Sequence, residues 1–219
     1  MTFSEHETHE NTKRTKDLVY KALFVSFVLS CLSWAAQGSQ AVPLTSPHWA
    51  RESAIRVWTD SNGAPQGAVA LVEKALQTWT RAADGRFTLS RAPARNQAAI
   101  TITFISSDAI YGETVPRVDA AKRFILSADI AINATVPPDP VDARIVVYLT
   151  ALHELGHALG LAHTDNFRDI MYRFQRPDDG ERYFGGFKKL LTSAADIGSP
   201  TATGLSPQDV GRLRALYDR

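Results

Sequence analysis

The run Ala151-Leu152-His153-Glu154-Leu155-Gly156-His157-Ala158-Leu159-Gly160-Leu161-Ala162-His163 constrains this chain more than any other stretch. It reads H-E-x-x-H-x-x-G-x-x-H. On a helix, side chains four residues apart share a face, with Cβ atoms about 5–6 Å apart. His153 and His157 can therefore reach one ion, because zinc–nitrogen bonds are about 2.0–2.1 Å long. Glu154 lies beside that ion rather than on it, placed to take a proton from a water. Gly160 can end the helix, since glycine accepts the positive φ of a sharp reversal. His163, three residues on, can then return to the same ion. A lone histidine is usually structural, and a bare H-E-x-x-H recurs in unrelated helices. Five fixed positions are another matter: at this composition they match by chance with a probability of roughly 10⁻⁵.

The bulk properties narrow the remaining possibilities. The chain has 219 residues and a net charge of +1, with no basic tract, which argues against a nucleic-acid partner. Cys31 is the only cysteine, so no intrachain disulfide can form. Nor can a Cys–His nucleophile pair be built in the main domain. A metal site there must use nitrogen and oxygen ligands.

Residues 1–38 read as a leader, in which Lys13, Arg14, Lys16 and Lys21 precede an apolar run over 22–36. That run is short for a membrane span and suits the core of a signal peptide. Ala36-Gln37-Gly38 or Ser39-Gln40-Ala41 would serve for cleavage. Export to the periplasm or the medium is the expectation, with an uncleaved membrane anchor at 22–36 as the alternative. A lipoprotein signal ending at Cys31 is disfavoured by the apolar residues that follow it. The main domain is expected over 42–219.

Within that domain, residues 54–59 and 99–105 alternate apolar with polar side chains and read as strands. A short strand is expected at 86–90, another strand region at 124–133, and an edge strand at 111–117 because Pro116 lies inside it. Val69, Val72, Leu76 and Trp79 recur at helical spacing as a core face. A second helix is expected to begin near Asp142 or Ala143 and to run into the histidine motif. Residues 173–204 read as a long irregular loop with a short helix over 188–195. Ser206-Pro207-Gln208-Asp209 is a capping-box start for a last helix, with Leu205 and Val210 placed to staple it.

Two motifs together, His153 to His163 and Asp169-Ile170-Met171-Tyr172, resemble the metzincin superfamily of zinc endopeptidases, whose "Met-turn" lies under the metal. The matrixin-like branch fits best, with support from 100–104, 128–133 and the ending Leu205-Ser206-Pro207-Gln208-Asp209…Leu216-Tyr217. The resemblance implies an α+β, zincin-like fold: a twisted, mostly parallel sheet of about five strands with an antiparallel edge strand, an active-site helix, a backing helix and a C-terminal helix. It implies His153, His157 and His163 as ligands of one catalytic zinc, Glu154 as general base and later proton donor, and Met171 as the hydrophobic floor. It also implies a protein or peptide substrate bound as an extended strand along 111–117, with the loop after Met171 walling the pocket for the residue that follows the cut bond.

Several positions depart from that pattern. Thr164 stands where serine usually follows the third histidine. A second, structural zinc has no ligands, since His48 is the only other histidine of the main domain. Cys31 sits in the leader, so a cysteine switch over the zinc is not expected. Tyr172 follows the methionine by one residue rather than two and reads as structural. Calcium sites near Asp129 or Asp139 are a further expectation. The rival to hydrolysis is a zinc-containing peptide-binding module without turnover, and behind it an apolar helix with incidental histidines.

Overall fold

Alternation in the strands decides the layering. The computed structural model describes residues 46–218; the expected leader over 1–38 and the candidate cleavage sites lie outside them. Five strands form one sheet: β1 (Ser53–Thr59), β2 (Phe87–Arg91), β3 (Ile100–Ile105), β4 (Gly112–Val118) and β5 (Ile125–Asn133), in the order β2-β1-β3-β5-β4. The pairs β1–β2, β1–β3 and β3–β5 are parallel, and β4 runs antiparallel to β5 at the edge. Ile55 and Val57, Ile100 and Ile102, and Ala128, Ile130 and Ile132 all point to one buried face. Thr101, Thr103 and Asp129 point the other way and are half-buried. A sheet with one apolar face must be covered on that face.

Helix α1 (Ala68–Ala83) and helix α2 (Pro140–Ala158) provide the cover. On α1, Val72, Leu76 and Trp79 are buried as expected, joined by Leu71 and Ala75, while Val69 is only half-buried. Trp79 Nε1 donates to the Leu152 carbonyl at 2.8 Å, tying the two helices together one residue before His153. Helix α2 starts two residues ahead of the sequence-based expectation. Pro140 occupies the first turn, where its missing N–H costs nothing, and the Asp139 carboxylate accepts from Val141 N and Asp142 N at 3.0 and 2.9 Å. From Ile145 onward most of α2 is buried.

The region after the motif is more ordered than its composition suggests. A helix α3 (Asp179–Lys188) and a 3₁₀ turn (Ala194–Asp196) replace the expected helix over 188–195. Phe184 and Phe187 anchor α3 in the core, and Asp179 and Glu181 place negative charge in its first turn, where the helix dipole favours it. Gly185 and Gly186, poor helix formers, hide this helix from a sequence reading. Leu190, just past the end of α3, is 67% exposed. The last helix, α4 (Pro207–Tyr217), begins on the expected capping box: Asp209 N donates to Ser206 Oγ at 3.0 Å, and Ser206 N donates to Asp209 Oδ2 at 2.9 Å. Leu205 and Val210 both lie half-buried against the core. Among the described residues, no helix is long and apolar enough to cross a membrane.

Candidate metal centre

His153 and His157 occupy the last turns of α2. The helix then closes in a Schellman arrangement: Leu161 N donates to the Gly156 carbonyl and Gly160 N to the His157 carbonyl, both at 2.9 Å. Gly160 makes this possible with φ of 95°. The reversal returns His163 to the helix, and the three Nε2 atoms form a near-equilateral triangle. His153–His163 is 3.2 Å, while His157–His153 and His157–His163 are each 3.1 Å.

Those distances suit zinc. Ligands about 2.05 Å from a tetrahedral ion stand about 3.3 Å apart. The donor chemistry agrees. His153 Nδ1 donates to the Ile170 carbonyl at 2.6 Å and His157 Nδ1 to the Leu161 carbonyl at 2.9 Å. A carbonyl can only accept, so each ring carries its hydrogen on Nδ1 and turns the Nε2 lone pair inward. Burial holds the rings neutral: it lowers the pKa of His153, with help from neighbouring His157, and lowers that of His157. Burial, the other two rings, Arg173 and Arg212 lower His163 as well. Among the described residues this is the one group of three or more potential ligands close enough to hold an ion. Three nitrogens leave a position open, as catalytic rather than structural zinc requires.

The surroundings are built from distant segments. Thr164 N donates to the Met171 carbonyl at 2.8 Å and Arg173 N to the Thr164 carbonyl at 3.0 Å, clamping the third histidine's loop to the turn at Met171. Met171 is fully buried against α2 at Gly156, between the turns that carry His153 and His157. Asp209 Oδ2, part of the α4 cap, also accepts from Ile170 N at 2.8 Å. One carboxylate thus starts a helix and fixes the peptide segment whose carbonyl orients His153. Tyr172 is structural as expected, since its hydroxyl donates to Asp179 Oδ2 at 2.8 Å. Asp179 also accepts from Gln175 N and Arg176 N at 2.8 and 3.0 Å.

Glu154 is 3% exposed, and burial pushes its carboxyl up to about 8 despite a hydrogen bond from Thr114. The carboxylate lies beside a cleft of about 310 Å³, counted with its open mouth, lined by Tyr111, Leu149, Ile170, Phe174 and Phe184 among others. Two residues of β4 not expected at the site shape the surroundings of this carboxylate: Thr114 donates to it at 2.7 Å, and Gly112 leaves it the space that a Cβ would fill. Neither carries a local signal, for the contact spans 40 residues. The acidic residues suspected of holding calcium are otherwise engaged. Asp129 accepts from Thr101 and from Arg117, while Asp139 caps α2 and faces Lys188 at 3.5 Å. The structure gives calcium no support at either position.

These shifts predict the pH response of the metal-free protein. Unfolded histidines titrate near 6.5, and the folded ones do so near 3 and 4 for His153 and His157. As pH falls below 6.5 the unfolded state binds protons first, so stability drops. Glu154 acts in the opposite sense: its folded pKa of about 8 exceeds the reference 4.5, so its contribution declines as pH rises toward 8. Three histidines outweigh one glutamate on the acid side. Thermal melts should therefore give a maximum near pH 6.5, and Glu154→Gln should remove the fall between there and about pH 8 while steepening the acid limb. A monotonic profile in the wild type would contradict this assignment.

The family model for matrixins matches residues 53–184, which span the sheet, α2, the histidine triangle and most of α3. With a mostly parallel five-stranded sheet, an antiparallel edge strand and a three-histidine centre at the end of α2, the chain belongs to the matrixin family of zinc metallopeptidases.

Proposed function

We propose that this chain is a zinc-dependent endopeptidase acting on proteins or peptides, with His153, His157 and His163 holding the ion, Glu154 as general base and Met171 as the apolar floor. The observation that carries the reading is the convergence of three imidazole nitrogens beside a buried carboxylate and an apolar cleft. Zinc bound there supplies a Lewis acid that polarises the peptide carbonyl and acidifies water. Glu154 takes the proton of the attacking water, holds it, and delivers it to the departing amine. A carboxyl that burial biases toward its protonated form suits the holding step.

Strand β4 ends the sheet, and its free edge can accept an extended peptide by strand addition. The aromatic and aliphatic lining of the cleft then fits an apolar side chain on the residue after the cut bond. Export also belongs to this proposal, resting on the apolar run at 22–36 and on the family.

A peptide-library digest with mapped cleavage sites tests the reading. The full chain with one zinc should cleave, a chelator should abolish cleavage, and added zinc should restore it. Cut sites should be enriched in apolar residues on the carboxyl side. Stoichiometric zinc without any cleavage would favour a binding module instead.

A further inference from the structure

Glu154 belongs to α2, yet the contacts that fix its carboxylate come from the edge strand. Thr114 Oγ1 lies 2.7 Å from Glu154 Oε2 and 3.0 Å from the main-chain oxygen of the same residue. One hydroxyl proton therefore serves two acceptors of a single residue, so the bond reports both the side-chain torsion and the helix position. Oε1 sits over Gly112, where a Cβ would come within 2.9 Å of it and within 2.7 Å of Glu154 Cγ. The register of β4 sets both contacts: Gly112 pairs with Ile132 and Thr114 with Ile130, while Glu113 and Val115 turn outward and are exposed. A β-branched side chain on a paired strand has little torsional freedom, so Thr114 is a stiff donor.

We infer that Thr114 is a positioning residue for the hydrolysis proposed above: its hydroxyl pins Oε2 of Glu154 and leaves Oε1 as the oxygen that moves the proton. The inference rests on the peptidase reading. The terminal torsion of a glutamate is broad and nearly two-fold, so an unrestrained carboxylate would exchange its two oxygens. With Oε2 held, an O–H bond of the attacking water breaks as Oε1–H forms. Oε1–H then breaks as an N–H bond forms on the departing amine. Thr114 keeps its own proton throughout and touches no reacting atom. Gly112 supplies the room, since any side chain there would displace the carboxylate that Thr114 holds.

The test compares Thr114→Val, nearly isosteric but without a donor, with Thr114→Ser, which keeps the donor, both in the full zinc-loaded chain. Thr114→Val should lower kcat about 10- to 100-fold with KM within about two-fold and zinc content unchanged, and Thr114→Ser should recover most of that loss. A second readout needs no turnover. The ¹³C resonance of the Glu154 side-chain carboxyl, identified by its disappearance in Glu154→Gln, should move in Thr114→Val and stay in Thr114→Ser. An active wild type with kcat and resonance both unmoved in Thr114→Val overturns the role of Thr114 alone. A serine variant as slow as the valine variant does the same, because packing rather than the donor would then matter. A zinc-loaded wild type that cleaves nothing overturns the peptidase reading, and this inference with it.

Discussion

Replacing Glu154 with alanine should leave one zinc bound per chain and lower peptide hydrolysis by about 10²- to 10⁴-fold, the range that a positioned acid–base group contributes. The metal should stay because the three Nε2 atoms are oriented without Glu154. The ring hydrogens of His153 and His157 go to the carbonyls of Ile170 and Leu161, and His163 is carried by the loop beyond Gly160. The fold should also survive, and the metal-free variant should melt at or above the wild-type temperature near pH 8. Burial disfavours the charged form of this carboxyl, whose pKa lies near 8, so the wild type carries a cost there that alanine lacks. A small loss opposes this, from the cavity left behind and from the Thr114 hydroxyl, which keeps only the Glu154 main-chain oxygen as acceptor. The combination of retained zinc, undiminished stability and lost turnover separates a catalytic carboxylate from a structural one. A variant that loses zinc would make Glu154 part of the metal's support, and one that cleaves normally would remove it from the chemistry.

The same residues show how far the sequence can be read. His153, His157 and Gly160 are legible because their relation is local: a helical period places the first two, and one positive φ closes the turn. The Ser206–Asp209 capping box is legible for the same reason. Its second use is not, because Asp209 reaches Ile170 across 39 residues and only the packing of α4 brings them together. Thr114 and Glu154 are separated by 40 residues, and Trp49 Nε1 reaches the Ala158 carbonyl across 109. Sheet order resisted a local reading as well. The alternation of β3 and β5 marks both as strands with one buried face, but nothing in either says that β5 lies between β3 and β4. Helix α3 escaped because its stability comes from Phe184 and Phe187 packing into the core, which outweighs the low helix propensity of Gly185 and Gly186.

Gly160→Ala should be the most damaging single-methyl change in the domain, and Gly85→Ala is its control. Both glycines have positive φ, 95° and 83°, so both substitutions place an L-residue in the left-handed region at a cost of about 1 kcal/mol. They differ in what the new methyl meets. At Gly85 nothing lies within 4 Å. At Gly160 the Cβ would collide with the backbone carbonyl oxygen of Pro47 and press on Leu216 Cδ2 at 3.2 Å. The Pro47 carbonyl cannot swing aside as a side chain would. Its neighbour Trp49 is anchored at 2.8 Å to the Ala158 carbonyl, and His48 N donates to the Arg123 carbonyl at 3.2 Å. Relief must therefore come from moving this N-terminal strap or from opening the turn that carries His163. Either route should raise the loss to about 3 kcal/mol or more, and the second also spreads the Nε2 triangle. Thermal melts with and without zinc, together with zinc titration, read both effects. Gly85→Ala should lose about 1 kcal/mol and bind zinc normally, whereas Gly160→Ala should lose more and bind zinc weakly. Equal behaviour of the two variants would mean that Pro47 yields freely, and that glycine is needed at 160 for its backbone conformation alone.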